Sequence, residues 1–220
     1  YQFSDKVLKR SAMSILPQLA SALGSRDDKP NQALARQLAA SKDTAAIAEL
    51  AQHLANPNPA IASDCIKTLY EIGYIDPALI APYWQEFLAL LKSRHNRMVW
   101  GGLIALATIA PLVHADLVPH VPQLIKIAKT GSVIAVDSAI KALGVIAAKQ
   151  PGVNAEICAY LLEHLKTCRP KEVAQHAEHT LVGVKEEYRA AFSEALQARL
   201  ADVNPSAARR VKKVISQLAL

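Results

Sequence analysis

A step of 37 residues governs this chain. Ile66-Lys67-Thr68-Leu69 recurs as Leu103-Ile104-Ala105-Leu106 and again as Ile140-Lys141-Ala142-Leu143, each 37 residues on. A fourth copy, Glu178-His179-Thr180-Leu181, follows after 38. Apolar pairs upstream keep the same pace: Leu50 and Leu54, Phe87 and Leu91, Leu124 and Ala128, Leu161 and Leu165. A period this constant means that each unit is one supersecondary element, burying its apolar side only by stacking on its neighbours.

Within a unit the apolar residues fall three and four apart, which is helical and not strand spacing. Composition agrees: half of the residues are apolar but only 5% are aromatic, and Gly is held to 8. Ala and Leu lead the helix scale, and β-branched or aromatic runs are sparse. The chain is therefore expected to be all-α. The first helix of each unit is expected near 44–55, 82–93, 119–130, 154–168 and 187–201. The second is expected near 59–72, 97–110, 133–149, 170–184 and 205–219. Pro59, Pro170 and Pro205 suit the first position of a second helix, where a fixed φ helps and the missing N–H is not needed. Pro77, Pro111, Pro119 and Pro151 punctuate the connections.

These elements group into one continuous domain. Residues 1–43 form an N-terminal helical cap, with a helix from Ser4 or Asp5 to about Leu23, kinked or broken near Pro17, and a short helix at 31–40. Five hairpins follow, at about 44–80, 81–117, 118–153, 154–186 and 187–220. With paired antiparallel helices, a period of 37 to 38 and Pro or Asp near the turns, residues 44–220 resemble HEAT repeats and their armadillo-related cousins. That resemblance implies a right-handed α-α superhelix whose second helices line a concave side used to hold a protein partner. The family's turn normally carries an Asp and an Arg early in the second helix, and Arg97 is the one good counterpart.

Three cysteines, Cys65, Cys158 and Cys168, are widely spaced without a CxxC pair, which argues against a disulfide framework and for a reducing, cytoplasmic setting. No signal peptide is evident, although the sequence opens on Tyr1 and not Met. No apolar run approaches the roughly 20 residues of a membrane span. The net charge of +6 is unevenly placed, with an acidic stretch at 44–93, but it is not blocked into one run and matches solvated helix faces with a small basic excess.

Beside the apolar core columns of the second helices run columns that vary in size and charge. One reads Ser63, Trp100, Asp137, Gln175; the next Asp64, Gly101, Ser138, His176; a third Lys67, Ile104, Lys141, His179. Variable columns beside constant ones are what a binding face requires. Trp100 is either an exposed anchor on this face or a residue packed between units over Gly101 and Gly102. In the segment 97–111, Trp100-Gly101-Gly102 and Ile104 replace Ser63-Asp64 and Lys67, which makes the centre of the face locally apolar.

Chemistry is harder to find. HEAT-like folds include alkylpurine DNA glycosylases, which need an aromatic cage and a carboxylate. Only Trp84 and Trp100 are present, and Asp137 with Lys141 lies one unit away. His164 and Cys168 are one helical turn apart, with His176 and His179 on the next helix, a spacing that suits zinc. His164 nevertheless shares its column with His53, Leu90 and Ile127, which points to packing, so no metal and no cofactor is expected. The cluster Arg209, Arg210, Lys212 and Lys213 reads as the polar outer face of a terminal helix, or else as a phosphate-binding patch. The expected function is a non-catalytic scaffold binding a protein or peptide. The alternatives are a nucleic-acid binder, glycosylase-like in the extreme, and a tetrapyrrole lyase or chaperone by fold analogy.

Overall fold

The computed structural model describes residues 14–219, and every regular element among them is helical. After α1 (Lys29–Ser41), the helices come in pairs. These are α2 (Thr44–Gln52) with α3 (Pro59–Ile75), α4 (Trp84–Leu90) with α5 (Asn96–Leu117), and α6 (Val121–Thr130) with α7 (Val133–Lys149). α8 (Pro151–Thr167) with α9 (Val173–Leu181) and α10 (Glu186–Ala198) with α11 (Pro205–Leu218) complete the series. Short 3-10 turns at His53–Ala55, Pro77–Leu79, Ala81–Tyr83 and Val118–His120 join or extend them. The second helices stack in chain order, α3 on α1, α5 on α3, α7 on α5, α9 on α7 and α11 on α9. Each first helix lies against its own partner. The result is an all-α solenoid.

Local chemistry sets the helix starts. Asn58 and Asn204 accept main-chain N–H groups of the first turn, at Ala60 and Ala207, and Pro59 and Pro205 follow them at the first helical position. Asp43 caps α2 through Ala46 N at 3.0 Å. Lys42 closes α1 in the left-handed conformation, φ 51°. Pro170 does not open a helix as expected. It lies in the turn after Cys168, and α9 begins at Val173.

Pro111 does not end its helix either. Helical hydrogen bonding runs on to Leu117, and the axis breaks at Val113 (φ −116°, ψ 20°), since a proline removes one ladder bond and crowds the carbonyl four residues back. The helical run Asn96–Thr130 is long and apolar enough to cross a membrane by length and composition, which inspection of the sequence missed. Its apolar side chains are those of a core helix: Leu103, Leu106 and Ile109 are fully buried, and α5 is sandwiched between α3 and α7.

Every first-helix pair picked out by the repeat is buried, from Leu50 and Leu54 to Leu161 and Leu165. Each such Leu or Phe contributes roughly 1.5–3 kcal/mol by leaving water. The second-helix core of α3, α5 and α7 also follows the 37-residue step. In α9 the step of 38 is overturned. Glu178 is exposed and Leu181 half-buried, whereas Ala177 and Thr180 are buried at the positions of Ile140 and Leu143. Close approach explains the small residues: a Cβ on Gly144 would strike the carbonyl oxygen of His179, and one on Gly183 would lie 2.6 Å from the carbonyl oxygen of Gly144.

Ahead of α1 the chain forms a 3-10 turn at Leu16–Gln18 and further turns to Gly24, where a helix through Leu23 was expected. The start expected for that helix, at Ser4 or Asp5, lies outside the described residues. Pro17 cannot donate to a helical ladder, and side chains hold the segment instead. Glu49 accepts from Ile15 N at 3.1 Å, and Asn31 Oδ1 from Ala20 N at 2.9 Å.

Candidate functional site

The second helices place several of the variable columns around one pocket. Ile104 and Ala107 of α5, Asp137, Ser138 and Lys141 of α7, Gln175 and His179 of α9, and Tyr74 of α3 line a cavity of about 220 Å³. Five residues expected on the binding face, Ile104, Asp137, Lys141, Gln175 and His179, therefore meet in space. The stack brings them together because each projects from the same side of its own second helix.

Asp137 is the polar centre of this pocket. Gln175 Nε2 donates to its Oδ1 at 2.5 Å, His179 Nε2 lies 3.3 Å away, and His176 Nε2 lies 3.6 Å away. Burial works against ionisation of Asp137, but the hydrogen bond and charge of His179, with His176 and Gln175, outweigh it and hold the carboxyl below its ordinary range. Three groups on α9 thus fix one carboxylate of α7 in its charged, oriented form.

Toward the N-terminal end the face is already occupied by its own partners. Lys67 is buried along its stem. Its Nζ reaches Glu71 at 2.6 Å and Asp28 at 3.9 Å and lies 4.8 Å from the Tyr70 ring. Desolvation opposes the charge on Lys67, and the hydrogen bond to Glu71 more than offsets it, so its pKa is raised. Arg97 pairs with the same Asp28 at 3.0 Å and stacks its guanidinium 5.9 Å from the Trp100 ring. Trp100 is half-buried, with Tyr70 of α3 at 6.2 Å. It packs between units, against Tyr70 of the preceding second helix. Gly101 is buried where a Cβ would meet Ile66, and Gly102 where one would meet the carbonyl of Phe87.

Four residues assigned to the open face are corrected by burial, Lys67 among them. Asp64 lies in the interior, accepting from Ser21 N at 2.7 Å and Asn31 Nδ2 at 2.8 Å, so it anchors the N-terminal segment. Gly101 is buried, and His176 is only 1% exposed because its ring lies against His164 of α8. Ser63 is half-buried beside the turn that joins α2 to α3. Sequence inspection missed Tyr74, which is 57% exposed at the pocket rim. The signal was available, since Tyr70 and Tyr74 are one turn apart on α3.

The basic residues Arg209, Arg210, Lys212 and Lys213 are exposed on α11, while Val211, Val214 and Leu218 face inward. Arg210 is a partner to Glu178 through two hydrogen bonds, at 2.8 and 2.6 Å, which removes it from a free positive cluster.

His164 of α8 and His176 of α9 meet ring to ring, Nε2 to Nδ1 at 2.9 Å. Burial, helped by the neighbouring His176, pushes His164 down to about 4. Burial lowers His176 as well, so the pair is held neutral. Cys168 lies beside them, and its thiol is held in the protonated form chiefly by desolvation. His179 is not part of this group; it turns to Asp137.

The geometry defines an all-α helical solenoid that is armadillo-like in fold. Several solved repeat structures are similar to it in fold. A designed armadillo repeat protein in complex with the peptide (KR)4 matches at TM-score 0.67 and 16% identity, covering 93% of this chain and 100% of that one. Computationally designed armadillo repeat proteins for modular peptide recognition match at TM-score 0.63 and 16% identity, over 91% and 98% of the two chains. An engineered protein from a structural genomics consortium matches at TM-score 0.67 and 19% identity, over 94% and 97%. No protein-family model and no curated protein matches the sequence.

Proposed function

We propose that this protein is a non-catalytic scaffold that binds an extended peptide segment of a protein partner across its second-helix face. The observation that carries the reading is the pocket at the middle of that face. It joins an apolar floor, Ile104 and Ala107 beside Tyr74, to fixed polar groups at Asp137, Gln175 and His179 and to the ammonium of Lys141. A side chain of the peptide seats on the floor. Its main-chain N–H and C=O groups meet the carboxylate and the ammonium, as recognition of extended segments demands. The likeness in fold to designed peptide-binding armadillo proteins supports this reading without identifying a ligand.

The test is a peptide array probed with the purified protein and with the double variant Trp100→Ala, Lys141→Glu, both checked for folding by circular dichroism. Loss of selected peptides by the folded variant supports the assignment. Equal binding by both proteins overturns it. A fluorescent oligonucleotide included at about 50 mM salt covers the other class of partner. Retention there, with a steep fall as salt rises and no peptide selected, replaces the peptide reading by a nucleic-acid one.

A further inference from the structure

The turn end of the fourth hairpin gathers metal-ligand chemistry on the side of His176 opposite Asp137. His164 lies on the last turn of α8 and Cys168 just after its end, four residues on, and His176 faces them from α9. One ligand atom from each falls within 4.8 Å of the other two. We propose that His164 Nε2, His176 Nδ1 and Cys168 Sγ bind a divalent transition-metal ion of the zinc class.

Two imidazoles and one thiolate are a borderline-soft donor set, suited to zinc over magnesium or calcium. Tetrahedral bonds of ordinary length require about 3.3 Å between the two ring nitrogens and about 3.6 Å from each to the sulfur. The nitrogens, now at 2.9 Å, part slightly, and the sulfur closes by about 1 Å. The movement is one of the Cys168 side chain alone, since its main chain is held by His164 and Arg199. Its thiol gives up a 3.8 Å contact with the Leu165 carbonyl and its hydrogen bond with Arg199.

The surroundings fit the same assignment. The Asp137 carboxylate beside His176 Nε2 favours the tautomer with its proton there, leaving Nδ1 as a lone-pair donor toward the site. Metal-bound histidines are commonly oriented in this way by an outer carboxylate. His164, Cys168 and Glu172 also line a cleft of about 700 Å³, which gives an entry path and a fourth coordination position. The Tyr160 hydroxyl, from the same cleft wall, is buried and without a hydrogen-bond partner among the described residues.

The proton balance is simple. The proton shared between the two histidines moves to Nδ1 of His164, the thiol loses its own, and one proton is released per ion bound.

Cobalt(II) titrated into the chelator-treated protein is the test, because it reports geometry and thiolate ligation separately. One equivalent is expected to give the intense visible bands of a tetrahedral site and a near-ultraviolet thiolate charge-transfer band, both displaced by zinc. Cys168→Ser removes the charge-transfer band, while Cys65→Ser, a distant control, keeps it. Asp137→Asn keeps both bands but weakens binding about tenfold or more, as loss of an outer partner does. Absence of both bands in folded wild-type protein, or a charge-transfer band that survives in Cys168→Ser, overturns the proposal.

Discussion

Asn31 Nδ2 donates to Asp64 Oδ1 at 2.8 Å in the interior, and the other oxygen of Asp64 takes the main-chain N–H of Ser21 at 2.7 Å. One carboxylate on α3 therefore fastens both α1 and the turn before it. Asp64→Ala leaves the buried Asn31 amide without its acceptor, at a cost of about 1–3 kcal/mol, and the part-buried Ser21 N–H to meet water at a smaller one. Urea denaturation should show a loss of about 1–3 kcal/mol. Asp64→Asn, which keeps one acceptor oxygen, should lose less. Equal stability of Asp64→Ala and wild type would remove this anchoring role.

Arg199 ties the last two hairpins together. It is 8% exposed, and its guanidinium donates to the carbonyls of Leu165 and Cys168 at 2.6 and 2.7 Å and to Asp202 at 2.7 Å. The two carbonyls are orphans at the end of α8, so the side chain that follows α10 caps the neighbouring helix. A lysine has a single ammonium in place of this fork. Arg199→Lys is expected to cost about 2 kcal/mol and Arg199→Ala about 3, read from thermal or urea midpoints.

Tyr74 separates binding from folding. Its ring is largely in solvent, so Tyr74→Ala should change stability by less than about 0.5 kcal/mol. Removing an aromatic from the rim of the pocket should weaken a selected peptide about tenfold, or about 1.4 kcal/mol. Fluorescence anisotropy with that peptide measures the second effect and a melting curve the first. An unchanged Kd would place the peptide elsewhere.

Acidification should loosen α11 slightly. Glu178 has its carboxyl held below the ordinary glutamate range, first by its hydrogen bonds from Arg210, with burial opposing. A lowered folded pKa stabilises above the unfolded value near 4.3, and that stabilisation fades as pH falls through the folded value. Both side chains are more than two-fifths exposed, so solvent screening limits the pair to a few tenths of a kcal/mol. Arg210→Ala should lower the melting temperature by about a degree at pH 7 and by progressively less as pH falls below about 4.3. An equal shift across that range would assign the effect to packing instead of charge.

The repeat made most of the architecture legible. Leu50, Phe87, Leu124 and Leu161 could be recognised as core because burial on one helix face imposes a period that survives in the sequence. Ile104, Asp137, Lys141, Gln175 and His179 could be grouped for the same reason, since columns of a repeat become neighbours in a stack. Tyr74 escaped because it lies past the last core position used to define the columns. Asp64 and His176 were misplaced because a polar residue in a variable column reads as exposed until its partners are known.

By itself, the sequence determined that the chain folds as stacked helical hairpins, how long each unit is, and which side chains are withdrawn from water. Periodicity carries that information, because the hydrophobic effect acts on patterns along one helix. Only the tertiary structure decided that Asp64 holds Asn31, that α9 runs one residue out of the 38-residue step, and that His164, Cys168 and His176 converge. Those outcomes depend on how closely two backbones approach at Gly144 and Gly183 and on where a turn such as 168–172 sends the chain. Distances across a stack are set by small residues and turns from different units, and no single helix contains them.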